Sequence, residues 1–429
     1  MRSTTTMAPR ATSKSGDVFV KSDGCPEYIA LFGLFGIGNI GNEATLQTTL
    51  AQLRKQRPDA TPLVICPGPT TVAAMYDVDA IDWNPSARPQ LRQATGARIF
   101  RRLQRPFQLA GAVWQLGRTI SRCNLLVVPG TGVLDDYALS DHTMPRLFLL
   151  WCVAAKVARV PVIFSSVGAG PIQNSLTRRL MKFTACLATT RSYRDEYSRQ
   201  FLAGLGIDTR RDRVLPDLAF SHELPPGSRA SVTNTGMPLT VGIGMMSYFG
   251  WSGNTTTGEP IYRAYIAQMS GFARQLLEEG YTLRFLVGKE SDNRAIDDLI
   301  QTLPASCAPH RLSRNPIRNM QDLLTEINRC DVVVATRFHN VVAALMLGRP
   351  TLSIGYSEKN DAVMQGCGLG DFCQPIETLQ IPRLLEQFNR AVTHRAELRQ
   401  IVARMAEQHR VTLDHYFREV FAPEPLSHC

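Results

Sequence analysis

Apolar residues along the chain fall into short runs, each closed by Gly or Pro and followed by a stretch of helical period. YIALFGLFG (28–36) leads into a helix expected near 42–56. TPLVICPG (61–68) and CNLLVVPGTG (123–132) repeat the pattern. A helix near 143–158 leads to VPVIFSSVGAGP (160–171), and one near 175–188 leads to TTRSYRDEYSRQFLAGLG. Unbroken apolar strands alternating with helices predict a parallel sheet covered on both faces.

The alternation pauses at LPDLAFSHELPPGSRASVTNTGMP (215–238), whose Pro, Ser, Gly and Thr read as a connector. It restarts with LTVGIGMM (239–246), YTLRFLVGK (281–289), DVVVATR (331–337) and PTLSIGYS (350–357). Helices are expected near 262–279, 293–303, 318–328 and 339–348, and one long amphipathic helix over 381–417. The fold class is therefore α/β, with two doubly wound, Rossmann-like domains facing a cleft. The predicted division is a tail over 1–27, a first domain over 28–220, a linker over 221–238, a second domain over 239–380, and a C-terminal helix and tail over 381–429. In such sheets ligands gather at the carboxyl ends of the strands.

Charge narrows the partners. A net charge of +10 favours anions. Asn84 to Leu134 holds no acid, while Arg88, Arg92, Arg98, Arg101, Arg102, Arg105, Arg118 and Arg122 lie there among Phe100, Phe107 and Trp114. That segment is expected to meet an anionic surface, either a membrane or a polyanionic substrate. No nucleic-acid motif accompanies it, so nucleic acid is not an expected partner. Ten cysteines without a C-x-x-C pair suggest neither a zinc site nor a disulfide framework. The first two dozen residues lack an apolar h-region, and RLFLLWCVAAKVARVPVIF is interrupted by Lys156, Arg159 and Pro161. The expectation is a cytoplasmic protein, working at the inner face of the membrane if the arginine segment makes its contact.

Four strand ends carry candidate chemistry. GLFGIGNIGNEA contains Gly36, Gly38 and Gly41 in dinucleotide spacing. A dinucleotide site also needs an acid at the end of the second strand, and there the chain has Cys66-Pro67-Gly68-Pro69. What remains is a glycine turn offering backbone N–H groups and a helix end to an anion or sugar. Gly130-Thr131-Gly132 lets a ligand approach the backbone, and Asp135 and Asp136 follow to orient or deprotonate hydroxyls. Arg194 stands just before a helix start, where a bound anion would explain it. Arg337 and His339 end the apolar strand VVVA, placing a guanidinium fork beside a neutral-pH proton carrier.

The blocks GNIGNEA, VVPGTGVLDD, SVGAGPI, RSYRDEYS, ATRFHNVVAALMLGRPTLSIGYSEKN and GCGL, in this order, resemble the polysaccharide pyruvyltransferase family over about 28–375. Thr131 stands where that family usually has glycine, and Gly41-Asn42 where it often has Gly-Asp. The resemblance implies the two-domain GT-B architecture, phosphoenolpyruvate as donor, and a sugar as acceptor, either in a polysaccharide or lipid-linked. It implies a transferase of exopolysaccharide biosynthesis whose products are a pyruvate ketal and phosphate. No metal or cofactor is implied; phosphoenolpyruvate is a substrate. Arg194, Arg337 and His339 then fall on donor-binding and catalytic positions, with His339 the candidate general acid. Lys289 and Lys359 are further candidates for the donor phosphate. Gly38, Asn39, Gly41, Asn42, Glu43, Gly130, Thr131, Asp135 and Asp136 fall on the acceptor side. Two other classes remain open: a GT-B glycosyltransferase using a nucleotide sugar, with Glu358 gripping the ribose, and a non-catalytic carbohydrate-binding protein of an assembly complex.

Overall fold

A computed structural model describes residues 27–84, 111, 113–228, 238–304 and 309–422. The tail over 1–27 falls almost wholly outside them, as do 229–237 of the linker and most of the arginine-rich segment.

The first half is a seven-stranded parallel sheet of order β3-β2-β1-β4-β5-β6-β7. Its elements are β1 (Tyr28–Phe32), α1 (Ile40–Gln56), β2 (Thr61–Cys66), α2 (Pro69–Tyr76), β3 (Asp79–Asp82), α3 (113–120), β4 (Cys123–Pro129), α4 (Thr143–Val157), β5 (Val162–Val167), α5 (Ser175–Leu187), β6 (Thr190–Tyr193), α6 (Glu196–Gly204) and β7 (Arg213–Val214). The second half is a six-stranded parallel sheet of order β10-β9-β8-β11-β12-β13. It comprises β8 (Thr240–Gly244), α7 (Thr255–Glu278), β9 (Thr282–Leu286), α8 (Asn293–Thr302), β10 (Leu312–Ser313), α9 (Met320–Asn328), β11 (Val332–Ala335), α10 (Phe338–Met346), β12 (Thr351–Gly355), α11 (Glu358–Gly366) and β13 (Cys373–Pro375). Central strands such as β5, β11 and β12 are buried along their whole length, which is why they read as unbroken apolar runs.

The expected 381–417 helix is divided at His394 into α12 (Ile381–Thr393) and α13 (Arg395–Val420). α12 packs on the second domain, and α13 runs from α10 of the second domain across to the first. Phe388 of α12 meets Phe272 of α7 edge to face at 5.7 Å. Tyr416 of α13 reaches Ser192 on β6 at 3.2 Å, and Glu419 pairs with Arg213 on β7 at 2.7 Å.

Strand order reverses between β1 and β4 in one sheet and between β8 and β11 in the other. These two crevices face each other. Ile40 donates its backbone N–H to Gly288 O at 3.2 Å, and Ala138 donates to Trp251 O at 3.1 Å. One apolar core runs from Leu46, Leu50 and Leu53 of α1 into β8, β9, β11 and their helices. A second fills the other face of the first sheet around Phe148, Trp151 and Phe164.

The turn after β1 depends on close backbone approach. At Gly36 φ is +76°, and a Cβ there would lie 2.3 Å from Gly68 O. Gly38 shares the left-handed conformation, at φ +73°, but a Cβ there would have nothing within 4 Å. Gly38→Ala should therefore lose about 1 kcal/mol through conformation alone. Gly36→Ala should lose more than about 2 kcal/mol, because backbone must also move. Thermal unfolding of both variants checks this, and equal losses would contradict the contact with Gly68.

Candidate active site

Arg337 caps the N-terminal end of α10, directly after β11, and turns back onto a buried carboxylate. Its Nε and Nη2 donate to Asp292 Oδ2 and Oδ1 at 2.9 and 2.7 Å. Asp292 is fully buried and also accepts the backbone N–H groups of Lys289 at 3.0 Å and Ser247 at 3.2 Å. Burial works against the Arg337 cation, but Asp292 outweighs it and keeps the pKa above the ordinary arginine value. One edge of the guanidinium is therefore committed to Asp292, leaving Nη1 without a partner among the described residues.

Arg194 follows β6 in the first domain. Its side chain is 7% exposed, and its Nη1 lies 3.3 Å from Asp217 Oδ2. The guanidinium lies 3.8 Å from the centroid of Phe338, a residue of the second domain. Its Nε is buried without a hydrogen bond, with Asp195 Oδ2 at 3.6 Å. Asp195 caps α6 instead, accepting Ser198 N–H at 2.6 Å. The guanidinium fits because residue 168 is glycine, where a Cβ would lie 2.7 Å from Arg194 Nε.

His339 completes the group. Its Nε2 is buried without a hydrogen bond, 3.8 Å from Asp217 Oδ2. Burial pushes its pKa down to about 4; Asp217 opposes the shift, and Arg194 and Arg337 add to it. The ring is neutral at pH 7. On its other side stands Gly41, where a Cβ would fall 1.9 Å from His339 Nδ1.

A second charged pair crosses the cleft. Lys359 Nζ of α11 donates to Asp135 Oδ2 at 2.7 Å, and burial pulls the Lys359 pKa down. Asp136 has a different part. It accepts the backbone N–H groups of Gln173 and Asn174 at 2.7 and 2.8 Å, and the indole N–H of Trp251 at 2.7 Å. Tyr137 lies between Trp251 and Tyr356, each at 5.3 Å between ring centroids. The Asp135–Asp136 sequence therefore supplies one carboxylate paired to lysine and one that ties the domains together.

The glycine turn offers fewer free donors than its sequence suggests. Asn39 Oδ1 accepts the N–H groups of Gly41 at 3.1 Å and Asn42 at 3.4 Å, so the start of α1 is capped from within. Asn42 donates its amide to Leu34 O at 3.1 Å. Glu43 accepts Gly36 N–H at 2.7 Å, and burial raises its pKa. Gly38, Glu43, Tyr76, Arg318 and Asn319 border an interdomain cavity of about 290 Å³. Gly130 has φ +22°, and the Thr131 hydroxyl is buried without a hydrogen bond. Lys289 pairs by backbone with Asn39, half-buried at the rim. Glu358 is exposed and hydrogen-bonded to Tyr197. Among the described residues no group of His, Cys, Asp or Glu is placed to hold a metal ion, and no helix is long and apolar enough to cross a membrane.

Two carboxylates of this site escaped the sequence reading. Asp217 lies inside the segment read as a connector, although 217–220 are buried and 218–221 form a 3₁₀ turn. Its signal was position: Leu215-Pro216-Asp217 follows β7 directly. Asp292 sits in KESDN after β9, a polar loop with no mark beyond its place at a strand end.

Solved structures share this architecture. The UDP-GlcNAc 2-epimerase from Neisseria meningitidis, bound to UDP-GlcNAc, superposes with a TM-score of 0.54 over 90% of this chain and 99% of its own, at 12% identity. Anabaena HepE, in complex with UDP and glucose, gives 0.56 over 92% and 98%, at 14% identity. At these identities the likeness is one of fold, and the fold is GT-B. The amylovoran biosynthesis protein AmsJ of Erwinia amylovora is 21% identical over 280 residues, 60% of this chain and 64% of AmsJ. The family described as polysaccharide pyruvyl transferase matches residues 39–358, a span that holds Arg194, Asp217, Arg337, His339 and all but the last residue of the Asp135–Lys359 pair, and the chain belongs to that family.

Proposed function

We propose that this protein transfers the enolpyruvyl group of phosphoenolpyruvate onto two hydroxyls of one sugar, in a polysaccharide or a lipid-linked precursor. The observation that supports this most is the convergence of Arg194 from one domain with Arg337 and His339 from the other. Phosphoenolpyruvate carries a carboxylate and a phosphate, and two facing guanidinium groups with Lys359 nearby match that pair of anions. A negatively charged donor beside His339 raises its pKa from about 4, so the ring takes up a proton as the donor arrives. Asp217, 3.8 Å from Nε2, supports the imidazolium once it forms.

The steps balance. His339 gives a proton to the donor CH₂, making it CH₃ and leaving C2 electrophilic. One sugar hydroxyl adds to C2 and loses its proton, which restores the histidine's proton over the cycle. The C2–O bond to phosphate breaks, and the second hydroxyl adds to C2. Its proton leaves with the phosphate as hydrogen phosphate. Asp135 and Glu43 are the carboxylates available to receive a hydroxyl proton; Asp136 is already engaged with three N–H donors.

Purified protein with phosphoenolpyruvate and a panel of aryl glycosides or lipid-linked sugars should release phosphate only when the right acceptor is present. The product should be heavier by a ketal-linked pyruvate. Tight binding of a nucleotide sugar with no affinity for phosphoenolpyruvate would replace this reading with glycosyl transfer. Arg194→Lys and Arg337→Lys should each weaken donor affinity roughly 10- to 100-fold, since a single ammonium cannot reproduce the fork. His339→Ala should lower kcat by roughly 100-fold or more; unchanged turnover would remove histidine from the mechanism.

Donor binding should also draw a proton from solution at pH 7.5, because His339 is neutral in the free protein above about pH 4 and charged in the complex. Calorimetry in buffers of different ionisation enthalpy measures the uptake. The same uptake in His339→Asn would assign that proton to another group.

A further inference from the structure

A cavity of about 810 Å³ lies away from the strand-end cleft. It opens between the C-terminal end of α10, the α12–α13 corner and the segment that follows Asp217. Its volume falls in the range of small-molecule sites. Phe220, Leu224, Met346 and Leu347 give it an apolar floor. Five arginines and one glutamate, Glu407, border it, and Glu407 is ion-paired to one of them, Arg410.

The arginines are poorly neutralised. Arg349 is 7% exposed, and its hydrogen bonds go to uncharged acceptors: Nη2 donates to Asn328 O at 2.8 Å and to Asn328 Oδ1 at 2.7 Å. Its Nε is buried without a hydrogen bond. Arg399, a second cation beside it, is 3.8 Å from its nearest carboxylate, Asp331. Burial, and then the charge of Arg399, pull the Arg349 pKa down to about 10. Arg404 is exposed and makes no ion pair among the described residues. Buried guanidinium groups are ordinarily matched by carboxylates, as Arg337 is by Asp292 in this same molecule. Here, among the described residues, the two cations Arg349 and Arg399 share one nearby carboxylate, Asp331, which leaves positive charge in excess next to an open cavity with an apolar floor.

We propose that this cavity is a binding site for an anionic amphiphile, whose acidic head lies against Arg349 and Arg399 and whose apolar body lies on Phe220, Leu224, Met346 and Leu347. The inference does not depend on pyruvyl transfer. The site touches both domains: Phe220 lies three residues beyond Asp217, and Met346 ends the helix that begins at Phe338 and His339.

Calorimetric titration of the full chain with n-dodecyl phosphate, below its micellar concentration, tests it. One saturable site is expected, with dodecanol and inorganic phosphate each binding at least about tenfold more weakly. Arg399→Ala should weaken dodecyl phosphate by about tenfold or more. Should that variant not fold, Arg404→Glu, at an exposed position, should weaken binding in the same direction. Absence of saturable binding to the wild-type protein would overturn the proposal. So would equal binding of dodecanol, which reduces the site to an apolar groove, or equal binding of inorganic phosphate, which reduces it to a simple anion site. Wild-type affinity in the folded variants would place any amphiphile elsewhere.

Discussion

His339 occupies the space that a side chain at Gly41 would fill, and the arrangement of the cleft depends on that contact. The first turn of α1 belongs to one sheet and the first turn of α10 to the other. With glycine at 41 the two turns meet, Ile40 bonds to Gly288 O, and Phe338 comes under Arg194. Any side chain there would have to displace the imidazole, whose Nδ1 lies 1.9 Å from the Cβ position. Inter-domain contacts are commonly modest and polar, which allows relative motion. Here the apolar core of α1 continues into the second domain, so the two crevices are held face to face by buried surface as well as by hydrogen bonds.

Once the crevices meet, electrostatics decides what they can hold. Three cations, Arg194, Arg337 and Lys359, are brought into the cleft, each with a carboxylate: Asp217, Asp292 and Asp135. The pairings are unequal. Arg337 has two short bonds to a fully buried carboxylate, while Arg194 has one hydrogen bond at 3.3 Å and a buried Nε with none, Asp195 Oδ2 lying 3.6 Å away. The neutral state of His339 follows from the same crowding, since desolvation and two nearby guanidinium groups all oppose a further positive charge.

The strands and most helices were legible because parallel strands buried on both faces must be apolar throughout, and VVVA of β11 is buried at each position. Arg337 and His339 could be found because polar residues directly after such a run stand out. Asp217 could not be found this way. Its neighbours Pro216 and Ser221 carry the composition of a loop, and its charged neighbours, Arg194 and His339, are distant in sequence. The glycine turn shows the opposite difficulty. Its backbone N–H groups look available in sequence, but Asn39 and Glu43, residues of the same motif, accept three of them. Asp135 and Asp136 are adjacent and chemically identical, yet only folding separates them, one facing Lys359 and the other gathering Gln173, Asn174 and Trp251.

These unequal pairings give the two arginines different duties. A guanidinium held by two bonds to a fully buried carboxylate cannot turn toward a ligand without leaving that carboxylate uncompensated, which is costly. Arg337 is therefore a fixed wall that presents Nη1 and a constant field. Arg194, stacked on Phe338 and loosely bonded to Asp217, can rotate its fork about the ring face while keeping the stacking contact. An arriving anion would compete with Asp217 for that fork, and a carboxylate released from Arg194 is free to strengthen its contact with His339. In the proposed reaction, donor capture by the first domain and protonation in the second would be joined through one side chain, without movement of either sheet.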